Sequence, residues 1–502
     1  MRVVSERSIR KANFYMKNFP ATLRFKQQID TNQIPIERMG KSEMDMQQYK
    51  QVFGTCRIPG LPSDSVEYHP DSKHIAIIVN DVFFKVPVYA GDGSILGENQ
   101  LRDQIKICID LAAKQKPVKI GVLTADNRDN WAKAYQELIK NSTNHLSISE
   151  IQNSLFVVAI DREMPLIDDD TTTAEHTLVT GAGSSYNSGN RWFDKTVQFV
   201  IGSTGINGLT YEHCPAEGGP ISVLSDFIIR NSIERDAGKL QLANGGESYE
   251  KPTLLSFKSS PQVDESIRVA SENIDKLAAD TEMGYLHFTA YGKNFIKTQK
   301  FSPDSYIQMA IQLAFYRMHH VPGAHYESAG TRLYVHGRTE CIRSCSKESV
   351  AFAKAMVESK NDLEKLQRLK DAIESHKKYV TQAVQGFGID RHLLGLKLIA
   401  KENEMSIPEL YSDEGYSKSS KYRLSTSQVA SIYDAFMCYG PLTMDGYGCC
   451  YSPRGNDIYF GLSSFRSNKE TSTPKFRKCL QESLQLMQEM LVKVGEPIKS
   501  KL

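Results

Sequence analysis

Apolar residues in the first half of the chain come in short runs. Residues 74–80, 82–86, 119–123 and 155–160 combine branched or aromatic side chains with flanking turn-formers and predict strands. Residues 196–201 predict another, and after the stretch 202–208 the segment Leu209-Thr210-Tyr211 resumes the same character. The two together predict a hairpin with Asn207-Gly208 as its turn. From residue 264 to 281 the period becomes helical, with Ile267, Ala270, Ile274 and Leu277 on one face. Ser302-Pro303 opens a further helix with a capping serine and a proline in its first turn, and its apolar face is Ile307, Ala310, Ile311, Ala314 and Met318. Residues 347–379 read as a charged helical stretch presenting a solvated face. Strand character returns at 448–451 and 458–462, and residues 476–494 close the pattern as an amphipathic helix.

Strands alternating with helices predict an α/β fold. Pro62-Ser63-Asp64-Ser65 and Asn187-Ser188-Gly189 read as loops. Asn244-Gly245-Gly246 and the segment from Lys251-Pro252 to Pro261 mark an interdomain connection, which gives an N-terminal α/β domain over 1–255 and a C-terminal one over 256–502. A chain of 502 residues is long enough for two or three domains with cores of their own. The formal charge of +2 gives no argument for nucleic acid, and no apolar run reaches the roughly eighteen residues of a membrane span. Nine cysteines without CxxC spacing fit reduced thiols, and no His/Cys pair repeats at the spacing of zinc ligands.

Chemistry concentrates at Tyr211-Glu212-His213-Cys214-Pro215-Ala216-Glu217-Gly218. An imidazole titrates near neutrality and can take a proton from an alcohol or thiol, and a carboxylate four residues on can orient it or stabilise its protonated form. His213 at a strand exit, with Glu217 beyond it, is therefore the candidate general base. Cys214 tempts one toward a thiol nucleophile, but neighbouring residues in extended chain point to opposite faces, so it is badly placed to pair with His213.

Asn190-Arg191-Trp192-Phe193-Asp194-Lys195 followed by the Tyr-Glu-His segment resembles the choline/carnitine acyltransferase family. Tyr326-Glu327-Ser328, Gly337-Arg338-Thr339, Ile342-Arg343-Ser344, Asp390-Arg391-His392-Leu393, Ser425-Thr426-Ser427-Gln428 and Asp445-Gly446-Tyr447-Gly448 follow in the family's order. The resemblance runs from near the start to the last helix, with the family's opening helical segment missing or much shortened. It implies two related α/β domains of chloramphenicol acetyltransferase-like build, with the active-site tunnel at their interface.

The resemblance also assigns roles. His213 would deprotonate the acceptor hydroxyl, or the coenzyme A thiol in reverse, with direct attack on the thioester; Glu217 would support it and Ser427 would donate to the oxyanion. Lys293 and Lys297 match coenzyme A phosphate positions, Asp304 a nearby adenosine-side contact, and Gln428 the coenzyme A pocket. Arg391 stands where carnitine enzymes carry arginine and choline enzymes a neutral residue; Tyr326 and Thr339 supply hydroxyls at the other carboxylate positions, and Ser425 lines the acceptor pocket. A carboxylate in a tunnel demands a cation and donors, so carnitine is the expected acceptor. Tyr439 replaces an expected phenylalanine and still offers a face to a trimethylammonium. Met437 matches the position where short-chain members close the acyl pocket and longer-chain members use glycine. The expected reaction is acetyl or short-acyl transfer between coenzyme A and carnitine, with both as substrates and no permanently bound cofactor or metal. Alternatives are medium-chain specificity, choline as the acceptor, and a catalytically inactive truncated isoform acting as a binding or regulatory protein.

Ser500-Lys501-Leu502 is the peroxisomal address tripeptide and implies the peroxisomal import receptor as a partner. Arg2, Arg7, Arg10, Lys11 and Lys17 against the single Glu6 faintly resemble a mitochondrial presequence, but the stretch from about residue 10 fits a helix inside the family's fold better. A mitochondrial destination is left to another isoform.

Overall fold

In the computed structural model, residues 19–202, 205–237, 248–428, 431–433 and 435–495 are described. The readings placed on Asn244-Gly245-Gly246, on the basic start and on Ser500-Lys501-Leu502 lie outside them. The chain divides into two compact units, Met1–Glu37 with Met46–Ala279, and Arg38–Asp45 with Asp280–Leu502.

The first unit is built on strands β1 (His74–Val79), β2 (Val82–Pro87), β3 (Val157–Ile160), β4 (Val197–Ile201), β5 (Asn207–Tyr211) and β6 (Thr253–Leu255), in the order β6-β2-β1-β3-β4-β5. β1, β3 and β4 run parallel to one another and the outer pairings are antiparallel. Both faces are covered. Ile75, Ile77 and Val79 enter one core with helices α1 (Phe19–Asp30), α2 (Glu98–Ala112) and α6 (Gly218–Asp236). Ala76 and Ile78 enter the opposite core with α3 (Arg128–Leu138), α4 (Ser142–Asn153) and α7 (Pro261–Asp280). A two-residue period sorts one apolar run between two cores, which is why β1 reads as continuously hydrophobic. α5 (Asp170–Thr180) packs beside β5.

The second unit has strands β7 (Thr281–Phe288), β8 (His325–Gly330), β9 (Thr339–Arg343), β10 (Leu424–Gln428), β11 (Tyr447–Pro453) and β12 (Ile458–Phe465), in the order β7-β12-β11-β10-β8-β9. A hairpin, a lone parallel strand and a second hairpin recur in both units: β2-β1-β3-β4-β5 in the first and β9-β8-β10-β11-β12 in the second. The sixth strand joins opposite ends, β6 on the first hairpin and β7 on the second. The two α/β units are thus related in topology.

The second core lies on one face of this sheet. α9 (Pro303–His319), α10 (Lys347–Glu358), α11 (Asp362–Val384) and α13 (Thr473–Gly495) bury Ile307, Phe352, Leu369 and Leu484 against Leu424, Cys449 and Phe460. Strand alternation leaves Tyr326, Ser328, Ser425, Ser427, Gly448, Gly461 and Ser463 on the opposite face, a surface of mostly small side chains. α8 (Lys293–Thr298) is bonded to the turn between β11 and β12, and α12 (Asp390–Glu402) packs on β9.

The structure departs from the sequence reading in four places. The division falls at Ala279/Asp280 rather than after residue 255, because β6 pairs with β2 and α7 buries Val263, Ala270 and Ile274 in the first unit's core. Residues 119–123 are not a strand: Ile120–Ala125 is a 3-10 turn whose apolar side chains fill that same core. Asn207-Gly208 lies within β5, paired with Ile201 and Val200, and Gly202 N–H already donates to the Ile206 carbonyl at 2.7 Å, so the chain has reversed before Asn207. Gly208 serves a close approach, since a Cβ there would lie 2.4 Å from Leu178 of α5. The charged stretch 347–379 is two helices, broken where Asn361 caps the second, and it buries Phe352, Leu369, Ile373 and His376.

Candidate active site

The Asn190–Lys195 motif is scaffold. Arg191, fully buried, forms a two-pronged ion pair with Asp161 at 2.5 and 2.7 Å and donates to the Thr177 carbonyl at 2.9 Å. Asn190 donates to the Ile160 carbonyl at 2.9 Å, Asp194 accepts from Arg128 at 2.6 Å and Trp131 at 2.7 Å, and Lys195 donates to the Gln152 carbonyl at 2.6 Å. Burial holds the Lys195 ammonium down to about 8. These bonds tie the entry of β4 to β3 and its helices, so the hairpin that delivers His213 leaves a rigid base.

His213 follows β5 by two residues and precedes α6, whose N-cap is Glu217. The Glu212 carboxylate accepts from the Cys214 backbone N–H at 2.9 Å and from Arg57 at 3.3 Å, and so brackets His213 from its neighbours. Its ring lies 5.2 Å from the Tyr211 ring, and its Nδ1 is 3.6 Å from Glu217 Oε2. The side chain is 57% exposed, so the imidazole is reachable. The pairing of Glu212 with Arg57, 155 residues apart, escaped the sequence reading because nothing local links them.

In the second unit three of the expected acceptor residues come together. Arg391, in the first turn of α12, donates to the Tyr326 hydroxyl at 3.2 Å, to the Thr339 hydroxyl at 3.4 Å and to the Thr339 carbonyl at 3.2 Å. Ser328 donates to the same Tyr326 oxygen at 3.0 Å. The start of α12 is fixed by Asp390, which accepts two bonds from Arg343 at 3.0 and 2.7 Å and one from Tyr422 at 2.7 Å. Backbone donation from Arg391 to the Glu340 carboxylate, at 3.3 Å, completes the anchor. An exposed guanidinium beside two hydroxyls is a ready carboxylate site.

β10 places Ser425 opposite Tyr326 on one side and Gly448 on the other, with Ser427 two residues along on the same face. The Tyr439 hydroxyl donates to the Ser425 carbonyl at 2.6 Å, and burial raises its phenol well above the usual range. The segment around Met437 lies on the small-residue face: a Cβ at Gly461 would meet the Met437 carbonyl at 2.4 Å, and Ser463 donates to the Tyr439 carbonyl at 2.6 Å. Gln428 ends β10 and is exposed.

Lys293 and Lys297 stand one turn apart on α8, whose start is pinned to the β11–β12 turn by Lys293 N–H to the Arg454 carbonyl, 2.8 Å, and Asn294 N–H to the Gly455 carbonyl, 2.9 Å. Gly292 permits this approach, since a Cβ would lie 2.5 Å from the Arg454 carbonyl. Asp304 does not join them. Its carboxyl turns inward, accepts the Tyr451 hydroxyl at 2.6 Å and clusters with Glu327 and His376, so it is engaged by the protein rather than offered to a ligand at the surface.

Among the described residues no helix is long and apolar enough to cross a membrane. The chain is 40% identical to a carnitine O-acetyltransferase of Columba livia over 95% of its own length and 77% of the relative's. It is 37% identical to the carnitine O-acetyltransferase of Homo sapiens, at the same coverage. A choline O-acetyltransferase of Danio rerio is 37% identical, over 95% of this chain and 76% of that one. The Choline/Carnitine o-acyltransferase family profile matches residues 8–482, and the chain, an acyltransferase, belongs to that family.

Proposed function

We propose that this chain is a carnitine O-acetyltransferase that moves acetyl and short acyl groups reversibly between coenzyme A and carnitine. The observation that carries the choice of acceptor is the convergence of Arg391, Thr339 and Tyr326 on one exposed point, because choline has no carboxylate to fill it. Identity alone separates the two kinds of relative poorly, at 37–40% against 35–37%.

His213 takes the proton of the carnitine hydroxyl as that oxygen attacks the thioester carbonyl. Ser427 donates to the oxyanion, the C–S bond breaks, and the proton passes from His213 to the departing thiolate. Direct transfer needs no acyl-enzyme. Lys293 and Lys297 hold coenzyme A phosphates as compact charges on long stems, Gln428 lines the coenzyme A pocket, and Ser425 and Tyr439 line the acceptor pocket. Release of coenzyme A from acetyl-CoA should be rapid with carnitine and weak with choline. Equal turnover of the two acceptors would overturn the assignment.

Met437 closes the acyl pocket by volume. Its backbone is seated on Gly461, so a smaller side chain opens space instead of letting the segment settle further. Met437→Gly should raise the octanoyl-to-acetyl rate ratio by about ten-fold or more, in line with the 10–200-fold that a methylene-sized change commands. An unchanged chain-length profile removes Met437 as the gate.

The closing Ser500-Lys501-Leu502 supports a peroxisomal address read by the import receptor. A tag fused after Leu502 should leave a fluorescent fusion outside peroxisomes, and its persistence there would assign the address to another signal.

A further inference from the structure

Behind the strands that carry the acceptor residues the second unit packs a polar layer where apolar contact would be expected. Glu327 on β8 and Thr426 on β10 point away from the face of Tyr326 and Ser425, and both are buried. Glu327 Oε2 accepts from Ser344 at 2.6 Å and from His376 Nε2 of α11 at 2.7 Å, while His376 Nδ1 bonds Ser305 of α9 at 2.9 Å. Asp304 accepts from Tyr451, which accepts from Gln308 at 2.9 Å. Gln308 also donates to Thr426 at 3.0 Å, and the Thr426 hydroxyl donates to the Tyr326 carbonyl at 3.0 Å. His325 completes the chain: the Thr426 proton is committed to Tyr326, so His325 Nε2 must be the donor in their 3.0 Å bond, which fits a ring that burial keeps neutral by lowering it to about 4.

A buried polar layer is more demanding than an apolar one, because its hydrogen bonds form only in a narrow range of geometries. This network ties the Tyr326 carbonyl and the strand bearing Ser425 and Ser427 to two helices, α9 through Gln308 and α11 through His376. Asp304, Glu327 and His376 offer atoms within 4.8 Å of one another, the spacing of metal ligands. Each is already bonded within the protein, so a cation would have to displace those bonds, and the network reading is the simpler one.

We propose that Glu327, His376 and Thr426 are positioning residues for the acceptor, holding Tyr326 and the Ser425–Ser427 strand from behind; this rests on the carnitine reading. Charge complementarity supports it. Burial and the neighbouring Glu327 raise Asp304 to about 6, while His376 holds Glu327 low despite burial and is itself raised by Glu327. One ion pair and one readily protonated carboxyl then occupy the layer.

The test compares Glu327→Ala, Glu327→Gln and Thr426→Val with the parent in steady-state kinetics and, without substrates, in amide hydrogen exchange. Glu327→Ala and Thr426→Val should raise the KM for carnitine by about ten-fold while the KM for acetyl-CoA stays within about two-fold. Exchange should quicken along residues 325–328 and 424–427 and not elsewhere in the sheet. Glu327→Gln, whose amide oxygen can still accept from Ser344 and His376, should recover most of the carnitine KM. Faster exchange with an unchanged acceptor KM, an equal rise in both KM values, or no recovery in Glu327→Gln would each overturn the proposal. Thr426→Val preserves shape and so keeps the test open if Glu327→Ala fails to fold. A parent that exchanges as expected but turns over no carnitine would defeat the functional reading instead.

Discussion

Replacing His213 with alanine should lower coenzyme A release from acetyl-CoA and carnitine by on the order of 10²–10⁴-fold, the usual contribution of a positioned general base. The loss should appear in kcat and kcat/KM alike, because the proton is transferred only in the transition state. Stability should hardly change. His213 is 57% exposed, and the bonds that shape its turn belong to neighbours: Glu212 to Cys214 N–H at 2.9 Å and Gln48 to the Glu217 N–H at 2.8 Å. Substitution at such a surface position usually moves stability by no more than about 0.5 kcal/mol. Loss of activity with an unchanged thermal midpoint would identify the base. Retention of more than about a tenth of parental turnover would mean that another group accepts the proton, since even weak general-base contributions run to about 10².

Much of this arrangement was legible in the chain because it is local. The hairpin before His213, the Ser302 cap of α9 and the continuous apolar run of β1 depend on neighbours in sequence, and periodicity reports them directly. The failures share a cause as well. The 3-10 turn at Ile120–Ala125 has the composition of a strand, and only the core it fills decides otherwise. Gly208 reads as a turn residue, yet what requires it is Leu178, thirty positions earlier. α7 belongs to the first unit because of the partners of Val263 and Ile274, a fact no window around them contains. Among site residues, family resemblance supplied the side chains that would meet substrate. It gave no role to Glu212, Asp390, Arg343 and Glu327, which lie inside its motifs, and did not reach Arg57 or His376; the work of these residues is to hold those side chains, through partners remote in sequence. Asp304 was misplaced for the same reason: its position in the first turn of α9 is readable, but the inward turn toward Tyr451 is not.

Arg391→Ala should weaken carnitine selectively. A guanidinium offers a planar fork to a carboxylate, and truncating one partner of such a pair costs about 2–5 kcal/mol, the lower part of the range applying where water reaches the site. Arg391 is exposed, so a loss of about 2–3 kcal/mol is expected, equivalent to roughly a 30- to 150-fold rise in the KM for carnitine at about 1.4 kcal/mol per decade. Acetyl-CoA should bind as before, since Lys293 and Lys297 lie on a separate helix. Choline turnover should hold or improve, because removing an unpaired cation relieves repulsion of a trimethylammonium that has no carboxylate to offset it. Arg391→Lys should fall between the two: the charge remains, but one ammonium cannot reproduce the fork that meets Tyr326 and Thr339. The fold should tolerate all of this, because α12 is anchored by Asp390 and the Arg391 backbone rather than by the Arg391 side chain. A carnitine KM within about three-fold of the parent's would correspond to less than about 0.7 kcal/mol, too little for a partner of the carboxylate, and would withdraw the reason for preferring carnitine over choline.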